Sequence, residues 1–370
     1  MSVADLALQR SKYKHLSDEE WRWFLQQVEG KERTADKLPT FATIEDWWYP
    51  VRLSCEQCSS ELAAKYKASL VSGETMVDLT GGYGVDTYFI SEGFVHTDYV
   101  EQNAELCRIA THNFANQPIT IHNTSAEDFL ASAGQYDLIF LDPARRDSHG
   151  GKVFRLEDCT PNVVELLPTL QAHGKRLMIK LSPMLDLTQA VTSLSQTTWD
   201  IYVVAIKNEV KELLLVSGGS GKITAIDLDK KDQAFTFTRE EESYSEAVLQ
   251  AKPVLQCNGL TGEAGLYLYE PNAAILKSGA YKLVAQRFGL QKLDVNTHLY
   301  SSYSLVENFP GRVWKVVEKQ DLKQANVLCR NYPLTPEALK KKLHLKDGGT
   351  AYVIGCRVAG RPTLFFAERV

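Results

Sequence analysis

No apolar run in the 370-residue sequence approaches the ~20 residues that cross a bilayer, so no transmembrane helix and no membrane partner are expected. Met1 to Lys14 has no apolar stretch followed by a small-residue cleavage site, so no secretory leader is expected either. Cysteine is scarce, with seven residues at 55, 58, 107, 159, 257, 329 and 356, an odd and scattered set that makes no disulfide framework. Cys55-Glu56-Gln57-Cys58 is a CxxC, but no second CxxC or CxxH stands at finger-like spacing. The expectation is therefore no metal site and reduced thiols in the cytoplasm. The glycine-rich turn near residue 81 is not followed by Lys-Ser/Thr, which excludes a P-loop. No internal repeat is found, which excludes a solenoid.

The length predicts more than one domain. Charge is distributed unevenly along it. Residues 305–370 hold 12 Lys+Arg against 6 Asp+Glu, whereas residues 1–250 carry a net charge of -13. A basic module on an acidic body is either a polyanion-binding surface or a solvated face around Lys340-Lys341-Lys342.

Ser17-Asp18-Glu19-Glu20 is a capping box that opens an amphipathic helix with Trp21, Phe24, Leu25 and Val28. Trp47, Trp48 and Tyr49, set between prolines, predict an irregular arm packed over a domain surface, and 57–70 predicts one helix. From Met76 strands and helices alternate. Strands are expected at 76–79, 96–100, 119–122, 137–141, 176–181, 201–206 and 212–217, with helices between most of them. This alternation predicts a mostly parallel, doubly wound α/β sheet whose strand C-termini share one rim. The last two strands are too close for a helical crossover and are expected as an antiparallel pair at the sheet's end. A hairpin at 222–228 and 235–238 follows. Further on, a helix is expected over 272–289, and residues 305–370 predict about four strands with one or two helices. The expected divisions are a helical region 1–72, a Rossmann-like domain 73–250, and small α+β domains at 251–304 and 305–370.

Chemistry concentrates on the rim. Asp78 ends the first strand, and Gly81-Gly82-Tyr83-Gly84 turns into a helix, allowing close backbone approach to a ligand. Glu101 ends the second strand, where an acidic side chain can accept hydrogen bonds from both ribose hydroxyls. Asp78 is placed to serve an ammonium group or to order the loop. Ser125-Ala126 follows the third strand, where an adenine would lie. The fourth strand runs into Asp142-Pro143-Ala144-Arg145-Arg146-Asp147, a polar platform beside that ligand.

These marks resemble class I S-adenosylmethionine-dependent methyltransferases. Asp78 to Gly84 is similar to their first motif, Glu101 to the acidic ribose ligand, and Asp142-Pro143-Ala144-Arg145 to their [DN]PP[YFR] motif. More closely, the chain resembles the bacterial methyltransferase family with a C-terminal THUMP-like domain. That likeness is carried by Glu56 to Glu61 with Tyr66-Lys67-Ala68, by Val77 to Thr87, and by Tyr99 to Asn103. It continues through Leu141 to Asp147 with Gly150 to Phe154, Lys180 to Asp186, and Tyr269 to Ile275.

The resemblance implies a ferredoxin-like insert near 260–303, a THUMP-like module near 308–370, and S-adenosylmethionine as cofactor. It implies cofactor contacts from Asp78, Thr80, Gly81, Gly82 and Gly84, from Glu101 and Gln102, from Ser125 and Ala126, from Asp142, and from Ser60 in the N-terminal arm. Catalysis falls to Asp142, Pro143 and Arg145, with Arg145, Arg146 and Lys152 facing RNA. Two features depart from the pattern: THUMP modules usually precede the methyltransferase domain, and the often acidic third-motif position is Ser125. No cysteine follows the fifth strand, where Ser182-Pro183 stands, which argues against pyrimidine C5 chemistry. The expected reaction is methylation of a nucleobase nitrogen, or of a ribose or other oxygen, in structured RNA (tRNA or rRNA). The alternatives are a protein or small-molecule acceptor, or an RNA-binding protein without turnover.

Overall fold

The computed structural model describes residues 3–145, 155–195, 197–244, 265–319 and 321–370. Two compact units emerge, one of Met1–Asp200 with Glu212–Ser220, the other of Ile201–Lys211 with Gly221–Val370.

The strands are β1 (Gly73–Asp78), β2 (Phe94–Val100), β3 (Ile119–His122), β4 (Tyr136–Leu141), β5 (Gly174–Leu181), β6 (Trp199–Ile206), β7 (Glu209–Ser217), β8 (Lys222–Asp227) and β9 (Phe235–Thr238). They continue with β10 (Tyr267–Pro271), β11 (Gln291–Asp294), β12 (Thr297–Ser302), β13 (Gly311–Val317), β14 (Asn326–Arg330), β15 (Ala351–Val358) and β16 (Arg361–Arg369).

In the first unit β3, β2, β1, β4 and β5 pair in parallel in that order. β7 adds to β5 antiparallel, with Ile179 opposite Leu215. The strand order reverses between β1 and β4, the place where an open α/β sheet leaves a crevice beyond its strand C-termini. Met76, Val77, Leu138 to Leu141 and Leu177 to Ile179 are buried. A strand covered on both faces reads as a continuous apolar run for this reason. β7 is an antiparallel strand, as expected, and pairs with β5.

The capping box is formed: Ser17 Oγ accepts from Glu20 N at 3.2 Å, and Glu20 Oε2 accepts from Ser17 N at 2.7 Å. The arm packs into the domain. Phe41, Trp47 and Tyr49 are buried with Tyr83, Phe89, Tyr99 and Phe114 behind the glycine turn, and Trp47 Nε1 donates to Tyr83 Oη at 2.9 Å. The helix expected over 57–70 is shorter, Glu61–Ala68, and Gln57 instead ends a preceding helix, Arg52–Gln57. Ser60 is the N-cap that starts Glu61–Ala68, its hydroxyl accepting from Ala63 N at 3.3 Å.

In the second unit β8 pairs parallel with β6 and antiparallel with β9. A separate sheet runs β11-β12-β10-β13-β16-β15-β14, so residues 267–369 share one sheet across β10 and β13. The helix expected over 272–289 is also two, Ala273–Ser278 and Tyr281–Phe288, separated where Gly279 takes a φ of 85°. Glu270 is buried and accepts from both Arg312 and Arg330, tying β10 to β13 and β14. The expected boundary at 250/251 and Cys257 lie outside the described residues. Among those described, no helix is long and apolar enough to cross a membrane.

Candidate active site

β1 ends at Asp78, and the next residues turn the chain into the helix Val85–Ser91. Gly82 and Gly84 have φ of 57° and 81°, in the left-handed region that glycine enters freely. A Cβ on Gly81 would lie 2.1 Å from the Tyr99 ring, and one on Gly84 would lie 2.5 Å from Phe114. Two of the three glycines are thus demanded by aromatic rings packed behind the turn. At Gly82 the nearest atom to a built Cβ is Thr80 O at 3.7 Å, so that position opens forward.

Beyond the turn lies a cleft of about 320 Å³, within the size range of small-molecule sites. β1 and its turn supply Asp78, Thr80, Gly81, Gly82 and Gly84 to its lining. The end of β2 supplies Glu101 and Gln102, the segment after β3 Ser125 and Ala126, and the end of β4 Asp142. Ser60 does not line it, because its hydroxyl caps a helix; the neighbouring Ser59 does. Pro143 is partly buried outside the lining. Ala144–Arg145 forms a two-residue ribbon with Cys159–Thr160, which brings Thr160 and Pro161 to the cleft. Arg146 and Lys152, with Asp147 and Gly150 to Phe154, lie outside the described residues.

The polar groups are fixed by short bonds. Glu101 Oε2 accepts from Gly82 N at 2.9 Å and Oε1 from Asn103 N at 2.8 Å. A carboxylate has about four lone-pair sites, so each oxygen keeps capacity for a ligand hydroxyl. Asp78 accepts from Thr80 N at 2.9 Å and from Thr87 Oγ1 at 2.6 Å. Burial pushes its carboxyl up to about 7, against the opposing pull of those hydrogen bonds. Thr80 Oγ1 accepts from Asp142 N at 2.6 Å and so ties the ends of β1 and β4 together. Ser125 is an N-cap, its hydroxyl accepting from Asp128 N at 3.0 Å.

One part of the site escaped the sequence reading of roles: a buried charge cluster on the cleft's floor. Lys180 Nζ lies 2.5 Å from Asp142 Oδ2, 3.3 Å from Asp86 Oδ2 and 3.1 Å from Ser59 Oγ. Lys67, fully buried, lies 2.7 Å from Glu212 Oε1, 3.1 Å from Asp86 Oδ1 and 3.2 Å from Ser59 Oγ. Ser59 Oγ in turn donates to Asp86 Oδ2 at 2.8 Å. Burial alone would pull the Lys180 ammonium down, but Asp142, Asp86 and Glu212 together hold it well above an ordinary lysine. Asp86 is likewise held low, because Lys67 and Lys180 outweigh the effect of burial. The available signal was a lysine inside the apolar run Met178 to Leu181, since lysine is almost never fully buried unpaired.

Cys55 and Cys58 carry free thiols. Burial pushes the Cys55 thiol up to about 12 and raises that of Cys58, which makes both poor thiolate ligands or nucleophiles. Among the described residues no cluster of histidine, cysteine and carboxylate side chains could hold a metal ion.

Among the described side chains lining the cleft, five are carboxylates (Asp78, Asp86, Glu101, Glu127 and Asp142) and one is a lysine, already paired. Such a donor set suits a cationic nucleoside and offers no grip for phosphates. S-adenosylmethionine fits on both counts, being a nucleoside with a positive sulfonium centre.

Comparison with known proteins agrees. Residues 267–310 match a ferredoxin-like domain family and residues 310–369 a THUMP domain-like family. A Porphyromonas gingivalis W83 protein of known crystal structure, described as a "putative methyltransferase", is 31% identical over 96% of this chain and 92% of its own, with a TM-score of 0.83. An uncharacterized S-adenosylmethionine-dependent methyltransferase of Mycobacterium tuberculosis, found in strains CDC 1551 / Oshkosh and ATCC 25618 / H37Rv, is 23% identical over 91% of this chain and 92% of the relative. The chain belongs to the family of S-adenosylmethionine-dependent methyltransferases with ferredoxin-like and THUMP-like C-terminal domains, and S-adenosylmethionine is its cofactor.

Proposed function

We propose that this methyltransferase acts in the cytoplasm on a nitrogen or oxygen of structured RNA, tRNA or rRNA. The reading is carried by the joining, in one chain, of the acidic cleft that ends in Asp142 with a THUMP-like module holding 12 Lys+Arg against 6 Asp+Glu over residues 305–370. Within that module Arg312 and Arg330 are committed to Glu270, and Lys340 pairs with Asp347. Lys323, Lys341, Lys342 and Lys346 are exposed, as a phosphate-contacting surface requires.

The cofactor supplies an activated methyl group, so the protein's task is alignment and desolvation. Glu101 holds the ribose hydroxyls, while the backbone from Gly81 to Gly84 lies against the ligand. Asp78 faces the ammonium end, and Ser125 and Ala126 border the adenine. Asp142 orients the acceptor, with Pro143 stiffening its exit from β4 and Arg145 meeting substrate. Arg146 and Lys152 extend the RNA contact.

The test offers radioactive methyl donor with RNA from cells lacking the protein, with total protein, and with small-molecule extract. Label in RNA is the expected result. Label confined to protein or to small molecules contradicts the RNA assignment, and tight RNA binding with no label anywhere contradicts turnover.

A further inference from the structure

The buried charges on the cleft's floor bear on which atom of the acceptor is methylated. Asp142 is the outermost member, its side chain 38% exposed, whereas Lys180 and Asp86 behind it are 12% and 10% exposed. Every charged or polar group facing Lys180 belongs to a different element: Asp142 at the end of β4, Asp86 in the helix Val85–Ser91, and Ser59 before the helix Glu61–Ala68. Lys67 and Glu212 of β7 close the ring through Asp86. Asp78 stands beside Asp142 through Thr80. The acceptor end of the cleft therefore presents a carboxylate backed by a cation that Asp142, Asp86 and Ser59 hold in place.

That arrangement discriminates between acceptors. A nitrogen needs only a free lone pair and one hydrogen-bond acceptor, and positive charge grows on it as the new bond forms. A fixed ammonium beside it works against that charge. A hydroxyl oxygen is a weak nucleophile that must lose a proton, so it needs a proton acceptor and a cation to stabilise the developing negative charge. Asp142 and Lys180 supply these two groups at one point. RNA carries such a hydroxyl at every nucleotide.

We propose that the acceptor is a ribose 2′-hydroxyl of RNA, with Asp142 taking its proton and the Lys180 ammonium, ion-paired to Asp142, stabilising by its charge the negative charge that develops on the attacking oxygen. This rests on the RNA reading above. The hydroxyl oxygen forms the new bond to the methyl carbon as the carbon–sulfur bond breaks and its electron pair returns to sulfur. The proton passes to the Asp142 carboxylate and from its exposed side to water. Lys180 keeps its proton throughout.

The test labels RNA from cells lacking the protein with tritiated methyl donor and then hydrolyses it in alkali. A methylated 2′-oxygen cannot attack the neighbouring phosphodiester, so the label is expected in alkali-stable dinucleotides. Label released in mononucleotides would overturn this inference while leaving an RNA methyltransferase, and no label in RNA would overturn both. Lys180→Met is expected to lower the turnover rate by about 100-fold or more. Its dissociation constant for S-adenosylhomocysteine, measured by calorimetry, should stay within about threefold, as expected for an interaction made mainly in the transition state. Lys180→Arg, which keeps the charge, should recover at least about a tenth of the rate. Equal losses of rate and of S-adenosylhomocysteine binding in both variants would make Lys180 a structural residue only and contradict its role at the oxygen.

Discussion

Lys67 Nζ sits 2.7 and 2.8 Å from the two carboxylate oxygens of Glu212, a residue 145 positions further along the chain. Both side chains are buried. Removing one partner of a buried pair leaves an uncompensated charge, whereas replacing both with apolar groups is often neutral. Lys67→Met is expected to destabilise the protein by about 3–5 kcal/mol, measured by denaturant unfolding. Lys67→Met/Glu212→Met should recover part of that loss, with Asp86 still lacking one of its two lysines. A double variant no more stable than the single would show that the charge mismatch is not the source of the cost.

Much of the first sheet was legible because a parallel strand buried on both faces is written as an unbroken apolar run, as in Leu138 to Leu141. The turn glycines were legible too, but their reason was not. Sequence offered close approach by a ligand, while the structure shows Tyr99 and Phe114 filling the space beside Gly81 and Gly84. The Lys67–Asp86–Lys180–Glu212 cluster stayed hidden because its members are dispersed along the chain, and the one local signal, Lys180 within an apolar run, does not name its partners. Lys67, Asp86 and Glu212 look like ordinary helix or strand residues until the fold brings them together. The helix over 57–70 was overextended for a different reason: Ser60 satisfies a helix-start amide, which no periodicity of apolar residues reveals.

Asp78 makes the cleft sensitive to pH. An ordinary aspartate releases its proton near 3.9, whereas buried Asp78 keeps it up to about 7. Between those values the folded chain holds a proton that the unfolded chain has lost, so the contribution of Asp78 to stability falls as pH rises through this window. Asp78→Asn cannot ionise and is expected to gain stability relative to wild type between pH 5 and 8 in the absence of cofactor. Parallel unfolding curves across that range would contradict the buried-carboxyl account.

Glu101→Ala removes an acceptor of the Gly82 amide and, in the proposed site, of the ribose hydroxyls. Losing charged hydrogen bonds of about 1.5–3 kcal/mol should weaken S-adenosylhomocysteine binding by roughly 10- to 100-fold in calorimetry. Unchanged affinity would remove Glu101 from the ribose site.

Deleting the C-terminal module is a poor test of RNA binding, because β13 pairs with β10 and its loss would strip a partner from β10. Lys341→Glu/Lys342→Glu leaves the sheet intact and alters two exposed residues of the helix Pro336–Lys342. RNA affinity should fall similarly across sequences, and the slope of log affinity against log salt should decrease by about one per lost phosphate contact. An unchanged slope would make this lysine run a solvated face.

The central claim, methyl transfer to RNA at Asp142, is tested most directly by mass spectrometry of RNA nucleosides from cells with and without the protein. The account predicts one methylated nucleoside that disappears with the protein, returns with the wild-type chain, and does not return with Asp142→Ala. A modification profile identical in the presence and absence of the protein would contradict it.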